Sequence, residues 1–179
     1  MRTIYLHELD SHEGQLVSRL LDLPHKILSN DDVEGLPQLV LYELAHNDTF
    51  GFTKASYLID NPEFDCLKGV AGYDAEDHFE NVSSDPWTDP RAFLEQVKDV
   101  KFHQTVSSFM HTSLSRECDE PNVDAINQLG AKLGMKNSSF VTWRMRHGNH
   151  GILLFEEGAM PHERRRELLQ HFVALLSLC

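Results

Sequence analysis

Two apolar segments of the chain are each divided by a short turn-forming stretch, and this pattern constrains the fold most strongly. In the first segment, Asn61-Pro62 separates the apolar runs 57–59 and 66–67. Proline fixes φ and asparagine tolerates turn geometry, so a hairpin is predicted. In the second, the glycine-containing stretch 146–151 lies between "SFVTWRM" and "GILLFEEG". Two hairpins predict an antiparallel sheet of about four strands.

Helical periodicity predicts the elements around these hairpins. The helices are expected from the Asp10 cap to Pro24, from Pro37 to Asp48, from Arg91 to Arg116 with a bend near Asp99, from Val123 to Gly134, and from Pro161 to the C-terminus. In the segment after Pro37, residues 39–42 would also suit a buried strand. We therefore expect a single α+β domain, residues 1–179, with helices packed on one face of the sheet. The stretches 42–70 and 131–158 share the order helix, bend, strand, turn, strand, which indicates either a duplicated unit or a chance likeness.

Length and cysteine content exclude several classes of protein. A chain of 179 residues is long enough to bury a core without disulfides. The cysteines Cys66, Cys118 and Cys179 are odd in number and show no C-x-x-C spacing, so neither a disulfide framework nor a cysteine zinc site is indicated. No apolar run reaches the ~18 residues needed to span a bilayer, and the N-terminus lacks a secretory signal. A cytoplasmic location is expected.

Charge is the most informative property of the composition. The formal net charge of −12 disfavours nucleic acid and anionic membranes as partners, because both are bound through basic groups. The charge is concentrated in the region 60–90, which holds nine acidic residues and one basic residue, Lys68. This region is predicted to attract a basic protein partner. The alternative is a solvated acidic loop without a partner.

The stretch 142–158 contains the first set of candidate site residues. Glycine and asparagine explain a hairpin turn, but they do not explain the basic side chains near it. Four residues are candidates for binding an anion or another small ligand: Arg144, Arg146, His147 and His150. The alternative is that these side chains are only solvated.

The predicted long helix contains the second set. His103, Ser107 and His111 recur at intervals of four and would form one polar stripe. His103 and His111 are candidate acid/base groups or ligands, and a solvated polar face is the alternative. No metal site is predicted, because the spacing of His7 and His12 misses the zinc-protease motif, and the acidic stretch after Asp74 misses the calcium loop.

These observations favour a non-enzymatic, protein-binding or regulatory domain. The broad apolar stripe of the C-terminal helix, with Leu169, Phe172 and Leu176, indicates either a homodimer contact or a central place in the chain's own core. The alternatives are a histidine-dependent enzyme or sensor, with or without a metal, and a module that binds an anion or small molecule. No cofactor is predicted.

Overall fold

A computed structural model describes residues 11–46, 48–77, 85–114, 116–117, 120–157 and 163–178. The helices in this part of the chain are α1 (Ser11–Leu28), α2 (Leu36–Ala45), α3 (Pro90–Lys98), α4 (Lys101–Ser107), α5 (Val123–Lys132) and α6 (Glu163–Phe172). The strands are β1 (Phe52–Asn61), β2 (Cys66–Asp74), β3 (Met110–His111), β4 (Arg116–Glu117), β5 (Glu120–Pro121), β6 (Ser138–Arg144) and β7 (His150–Glu157). Short 3₁₀ helices span Pro62–Phe64, Arg146–Gly148 and Val173–Leu178.

Five of the described strands form one antiparallel sheet in the order β3-β2-β1-β7-β6, and β4 pairs with β5 separately. Both predicted hairpins are present, β1–β2 and β6–β7, and they are joined where β1 pairs with β7. The predicted α+β class is therefore confirmed. The sheet has five strands instead of about four, because β3 adds a two-residue strand beside β2.

Helices cover both faces of the sheet, whereas the sequence had predicted one covered face. In β7, Leu153 and Phe155 belong to a core cluster with α1, α2, α3 and the C-terminal segment. The alternating residues Ile152 and Leu154 belong to a second cluster with α4 and α5. The apolar run of β7 is uninterrupted because the strand is buried on both faces and therefore needs apolar residues on both faces. We call these the first and second faces of the sheet.

A β-bulge divides β2. Tyr57 of β1 is opposite Ala71, and Leu58 is opposite Gly69, so Val70 has no partner on β1. Lys68 and Ala71 consequently lie on the same face although they are three positions apart. Gly69 faces α4 so closely that an added Cβ would lie 1.8 Å from the carbonyl oxygen of Val106. The backbone of α4 therefore packs directly on β2.

The predicted long helix from Arg91 to Arg116 is wrong. The helix is interrupted after Lys98 by the extended backbone of Val100 (φ −72°, ψ 124°), and α4 then ends at Ser107. The hydroxyl of Ser108 donates to the carbonyl of Gln104 at 2.7 Å, which is the local competition by which serine weakens helices. Met110 and His111 form β3 instead.

The first helix continues through Pro24 to Leu28, whereas the sequence predicted an end at the proline. Leu23 and Ile27 are buried on either side of it, so packing outweighs the hydrogen bond that proline removes.

The predicted helix at Pro37 is confirmed as α2. The Asp10 cap and Pro161 lie outside the described residues.

The apolar stripe of the C-terminal segment packs inside its own chain. Leu169, Val173 and Leu176 are at most 2% exposed and belong to the first core cluster. The hydroxyl of Tyr57 donates to the carbonyl of Leu176 at 3.3 Å. Leu169 and Leu176 are therefore not available as the predicted dimer contacts.

No helix in the described part of the chain is long and apolar enough to cross a membrane.

Candidate functional site

The glycine-containing stretch between β6 and β7 is a hairpin turn. Arg146–Gly148 forms a 3₁₀ helix in which His147 has φ 58° and Gly148 has φ 72°. Arg146 and His147 are exposed at the tip of the turn. His150, by contrast, is 7% exposed, because it is the first residue of β7 and lies within the sheet.

His150 is part of a polar row that crosses the sheet on its second face. Register places directly opposite neighbours in the order His111 (β3), Leu67 (β2), Asp60 (β1), His150 (β7) and Arg144 (β6). Asp60 is completely buried, and its Oδ1 accepts from the backbone N–H of Leu114 at 3.4 Å. The sheet thus brings His150 beside Asp60 and Arg144, with His111 in the same row.

The candidate histidines do not form one centre. His111 and His150 are separated by three strand spacings, about 14 Å. His103 lies beside Gly72 of β2, and Gly72 is opposite Ser56 of β1. Ser56 is four residues from Asp60 along β1, a distance of about 13 Å. In the described parts of the chain, no group of three or more His, Cys, Asp or Glu side chains is placed to hold a metal ion.

Both ring nitrogens of His111 contact neighbouring groups of the chain. Its Nδ1 lies 3.0 Å from the carbonyl oxygen of Thr112, and its Nε2 lies 2.7 Å from Nζ of Lys132. A carbonyl can only accept, so Nδ1–H donates, and Nε2 accepts from the ammonium. Both ring nitrogens are therefore used within the chain, and the stripe predicted for His103, Ser107 and His111 does not exist because His111 is in a strand.

His103 protects the outer edge of β2, where β3 is too short to cover it. The backbone N–H of Gly72 donates to Nδ1 of His103 at 3.4 Å, and the Gly72 carbonyl accepts from Nε2 of Gln38 at 2.7 Å. Side chains of α4 and α2 therefore satisfy backbone groups that a neighbouring strand would otherwise bond. Burial lowers the pKa of His103, which keeps the imidazole neutral at neutral pH.

This environment predicts a pH dependence of stability. The pKa of His103 in the folded chain lies below the unfolded value of about 6.5, so the unfolded state binds the proton first as the pH falls. The free energy of unfolding should decrease from about pH 7.5 to about pH 5.5. His103→Gln removes the titrating group and keeps an acceptor, so urea denaturation should show a smaller decrease for this variant. An identical decrease in both proteins would contradict the prediction.

The acidic region 60–90 is not one continuous acidic surface. Asp60 is buried in the sheet, and the largely buried Asp74 pairs with Lys54 at 3.0 Å. Asp65 accepts from the backbone N–H of Ser113 at 3.1 Å. Residues 78–84 lie outside the described part. The acidic side chains that remain exposed near the β1–β2 turn are Glu63 and Asp65.

The tip of the β1–β2 hairpin carries an exposed aromatic side chain. Asn61 caps the 3₁₀ helix Pro62–Phe64 by accepting from the backbone N–H of Phe64 at 3.2 Å. Asp65 then adopts a left-handed conformation (φ 46°) that returns the chain into β2. The tight turn leaves no neighbour to cover Phe64, which is 74% exposed.

A groove of about 500 Å³ adjoins this tip. We call it the hairpin groove; it is lined by Ile59, Asn61, Phe64, Cys66, Lys68, Gly69, Val70 and Ser107. Register places Ile59 opposite Lys68, and Lys68 opposite Met110. These three side chains therefore share the first face of the sheet, and Met110 is 68% exposed beside the groove. Two large apolar side chains thus flank an open concavity.

The groove combines apolar surface with one exposed cation in its lining, Lys68, and the adjoining tip carries exposed acidic side chains. Glu63 and Asp65 are exposed at the tip. Lys68, two residues after Cys66 in β2, is also exposed. Such a surface is suited to hold and orient a polypeptide segment.

The sequence alone did not identify this groove. Phe64 sits in a turn, directly after Asn61-Pro62-Glu63, and an aromatic residue in so polar a turn is the one indication that was available. Met110 falls within the segment that the sequence predicts as a helix, so its exposure became visible only with β3. Asp60 was counted among the acidic charges of the region 60–90. Its position opposite His150 depends on pairing between distant strands, which the sequence alone does not show.

The chain has no recognisable relative in two comparisons. No protein-family model matches it, and no curated protein matches it.

Proposed function

We propose that the protein is a non-enzymatic binding domain that holds a segment of a partner protein in the hairpin groove. The observation that supports this most directly is the exposure of Phe64 (74%) and Met110 (68%) at the groove. Exposed apolar groups beside a concavity are typical of interaction sites, since burying them on binding is favourable. Aromatic and methionine side chains are enriched at such interfaces.

Charge indicates how the partner segment is oriented. Glu63 and Asp65 at the tip match a basic residue, and Lys68 in the groove lining matches an acidic residue. The net charge of −12 also steers basic partners towards the domain. The partner is thus a short apolar segment with a basic residue at one end and an acidic residue at the other. Its apolar side chains fit a volume within the range of ordinary ligand sites.

A defined peptide tests this function. The probe is the acetylated peptide Arg-Leu-Ala-Phe-Leu-Glu, titrated into the ¹⁵N-labelled protein. Amide shifts should cluster in residues 59–70 and 107–111. Phe64→Asp should weaken binding about 30-fold, since truncation of a central aromatic anchor removes roughly 2 kcal/mol.

Leu21→Asp provides the matched control, because Leu21 is 64% exposed on α1. It introduces the same charge at a similar exposure and should leave the peptide affinity unchanged. Exchanging the terminal Arg and Glu of the peptide should weaken binding. Equal weakening by Phe64→Asp and Leu21→Asp, or shifts outside the groove, would refute the proposal.

A further inference from the structure

Strand β6 forms one edge of the sheet and, apart from the charge of Arg144 at its end, lacks the usual features that block edge pairing. It is seven residues long, pairs with β7 without a register shift, and contains neither proline nor lysine. No described strand pairs with its outer side. The opposite edge is protected, because β3 is only two residues long and β2 is covered by His103 and Gln38 beyond it. A regular, unprotected edge strand is a template for a further strand.

The backbone of β6 has alternate groups available for such pairing. The N–H of Met145 donates to the carbonyl of Asn149 at 2.8 Å at the turn. Hydrogen-bonded and non-bonded positions alternate along an antiparallel ladder, so the odd-numbered residues of β6 bond to β7. The N–H and C=O groups of Phe140 and Thr142 therefore point away from the sheet.

The surroundings of this edge are basic in a protein that is strongly acidic overall. None of the residues between Asp124 and Glu156 is acidic. Lys136 precedes β6, Arg144 ends it and Arg146 follows it, and all three side chains are exposed. Positive charge thus stands at both ends of the free edge, and at the Lys136 end the carboxylate of Glu156 accepts from the backbone N–H groups of Lys136 and Asn137.

We propose that the β6 edge binds an extended acidic segment of another protein as a sixth strand of the sheet. Backbone hydrogen bonds to Phe140 and Thr142 supply the pairing, and acidic residues at the ends of the segment meet Lys136 and Arg144. This site is independent of the hairpin groove. A second copy of the chain fits less well, because antiparallel pairing of two β6 strands about Val141 would place Arg146 opposite Lys136.

The test uses a nine-residue peptide with acidic residues at both ends, acetyl-Glu-Val-Thr-Val-Thr-Val-Thr-Val-Glu-amide, which matches the nine positions from Lys136 to Arg144 and brings acids to the basic residues in either strand direction. We expect amide shifts in residues 136–146 and saturable binding. The same peptide with lysine at both ends should bind about tenfold more weakly, as expected when exposed attractive pairs become repulsive.

Two variants separate backbone pairing from charge attraction. Thr142→Pro removes an outward N–H without removing a bond to β7, so the fold should persist while binding of the acidic peptide falls at least about tenfold. The double variant Lys136→Glu with Arg144→Glu should reverse the preference and favour the lysine-ended peptide. Unchanged binding in Thr142→Pro, or no reversal by the double variant, would overturn the proposal. A dimer that Thr142→Pro converts to a monomer would also overturn it, in favour of a second copy.

Discussion

Replacing Gly69 by alanine should destabilise the protein by about 3 kcal/mol, the upper part of the range for an overpacked interior. The added methyl would lie 1.8 Å from the Val106 carbonyl oxygen and 2.7 Å from its carbonyl carbon. Both are backbone atoms of α4, so no side-chain rotation relieves the overlap. The helix must move away from β2, and this opens the second face of the sheet around Phe102 and Val106.

Gly14→Ala is the matched control. A Cβ at this position meets no atom within 4 Å, and Gly14 lies within α1. Alanine should stabilise the helix there by roughly 0.5–1 kcal/mol. Urea denaturation of both variants measures the difference. If Gly69→Ala were as stable as the unmodified protein, the direct packing of α4 on β2 would be incorrect.

Replacing Glu43 by alanine should lower the free energy of unfolding by on the order of 2–3 kcal/mol. Glu43 is 3% exposed and is held between α1 and α2 by two cations. Arg19 Nε lies 3.6 Å from its Oε1, and Lys26 Nζ lies 3.7 Å from its Oε2. The indole N–H of Trp87 donates to Oε2 at 3.0 Å. Alanine removes the acceptor for this indole and leaves two cations adjacent.

Glu95→Ala is the control that isolates the effect of burying the carboxylate. Glu95 pairs with Lys98 on the exposed side of α3, and a solvated pair of this kind contributes little. Thermal denaturation should therefore show a clear loss for Glu43→Ala and no measurable loss for Glu95→Ala. Similar losses in the two variants would indicate that the Glu43 cluster has no special role.

Local chemistry allowed the sequence to predict part of this fold. The Asn61-Pro62 turn and the turn before Gly151 were recognised because their residue types determine local geometry. The break after Lys98 was placed correctly as a bend, but the end of the helix at Ser107 was missed. Phe109 and Met110 continue the helical spacing in the sequence, and only the hydrogen bonds of β3 to β2 show that the chain has become extended there.

The candidate sites depended on contacts that no local pattern encodes. His150 and Asp60 are ninety positions apart in the chain, and only the β1–β7 register places them side by side. The apolar stripe of α6 predicted burial correctly, but the sequence could not distinguish a partner subunit from the chain's own core. Residues such as Leu176 lie in a segment that packs against α2 and β7 within the same chain.

The bulge at Val70 determines how length changes in this hairpin would act. Without Val70, Gly69 and Ala71 would still alternate between the two faces, since Gly69 already lies opposite Leu58 and Ala71 opposite Tyr57. Deleting Val70 would therefore retain the pairing of the sheet, although it would remove a side chain that packs against the first core cluster. The deletion would also remove one wall of the hairpin groove, so the shape of this concavity can change by a single residue without altering the order of the strands.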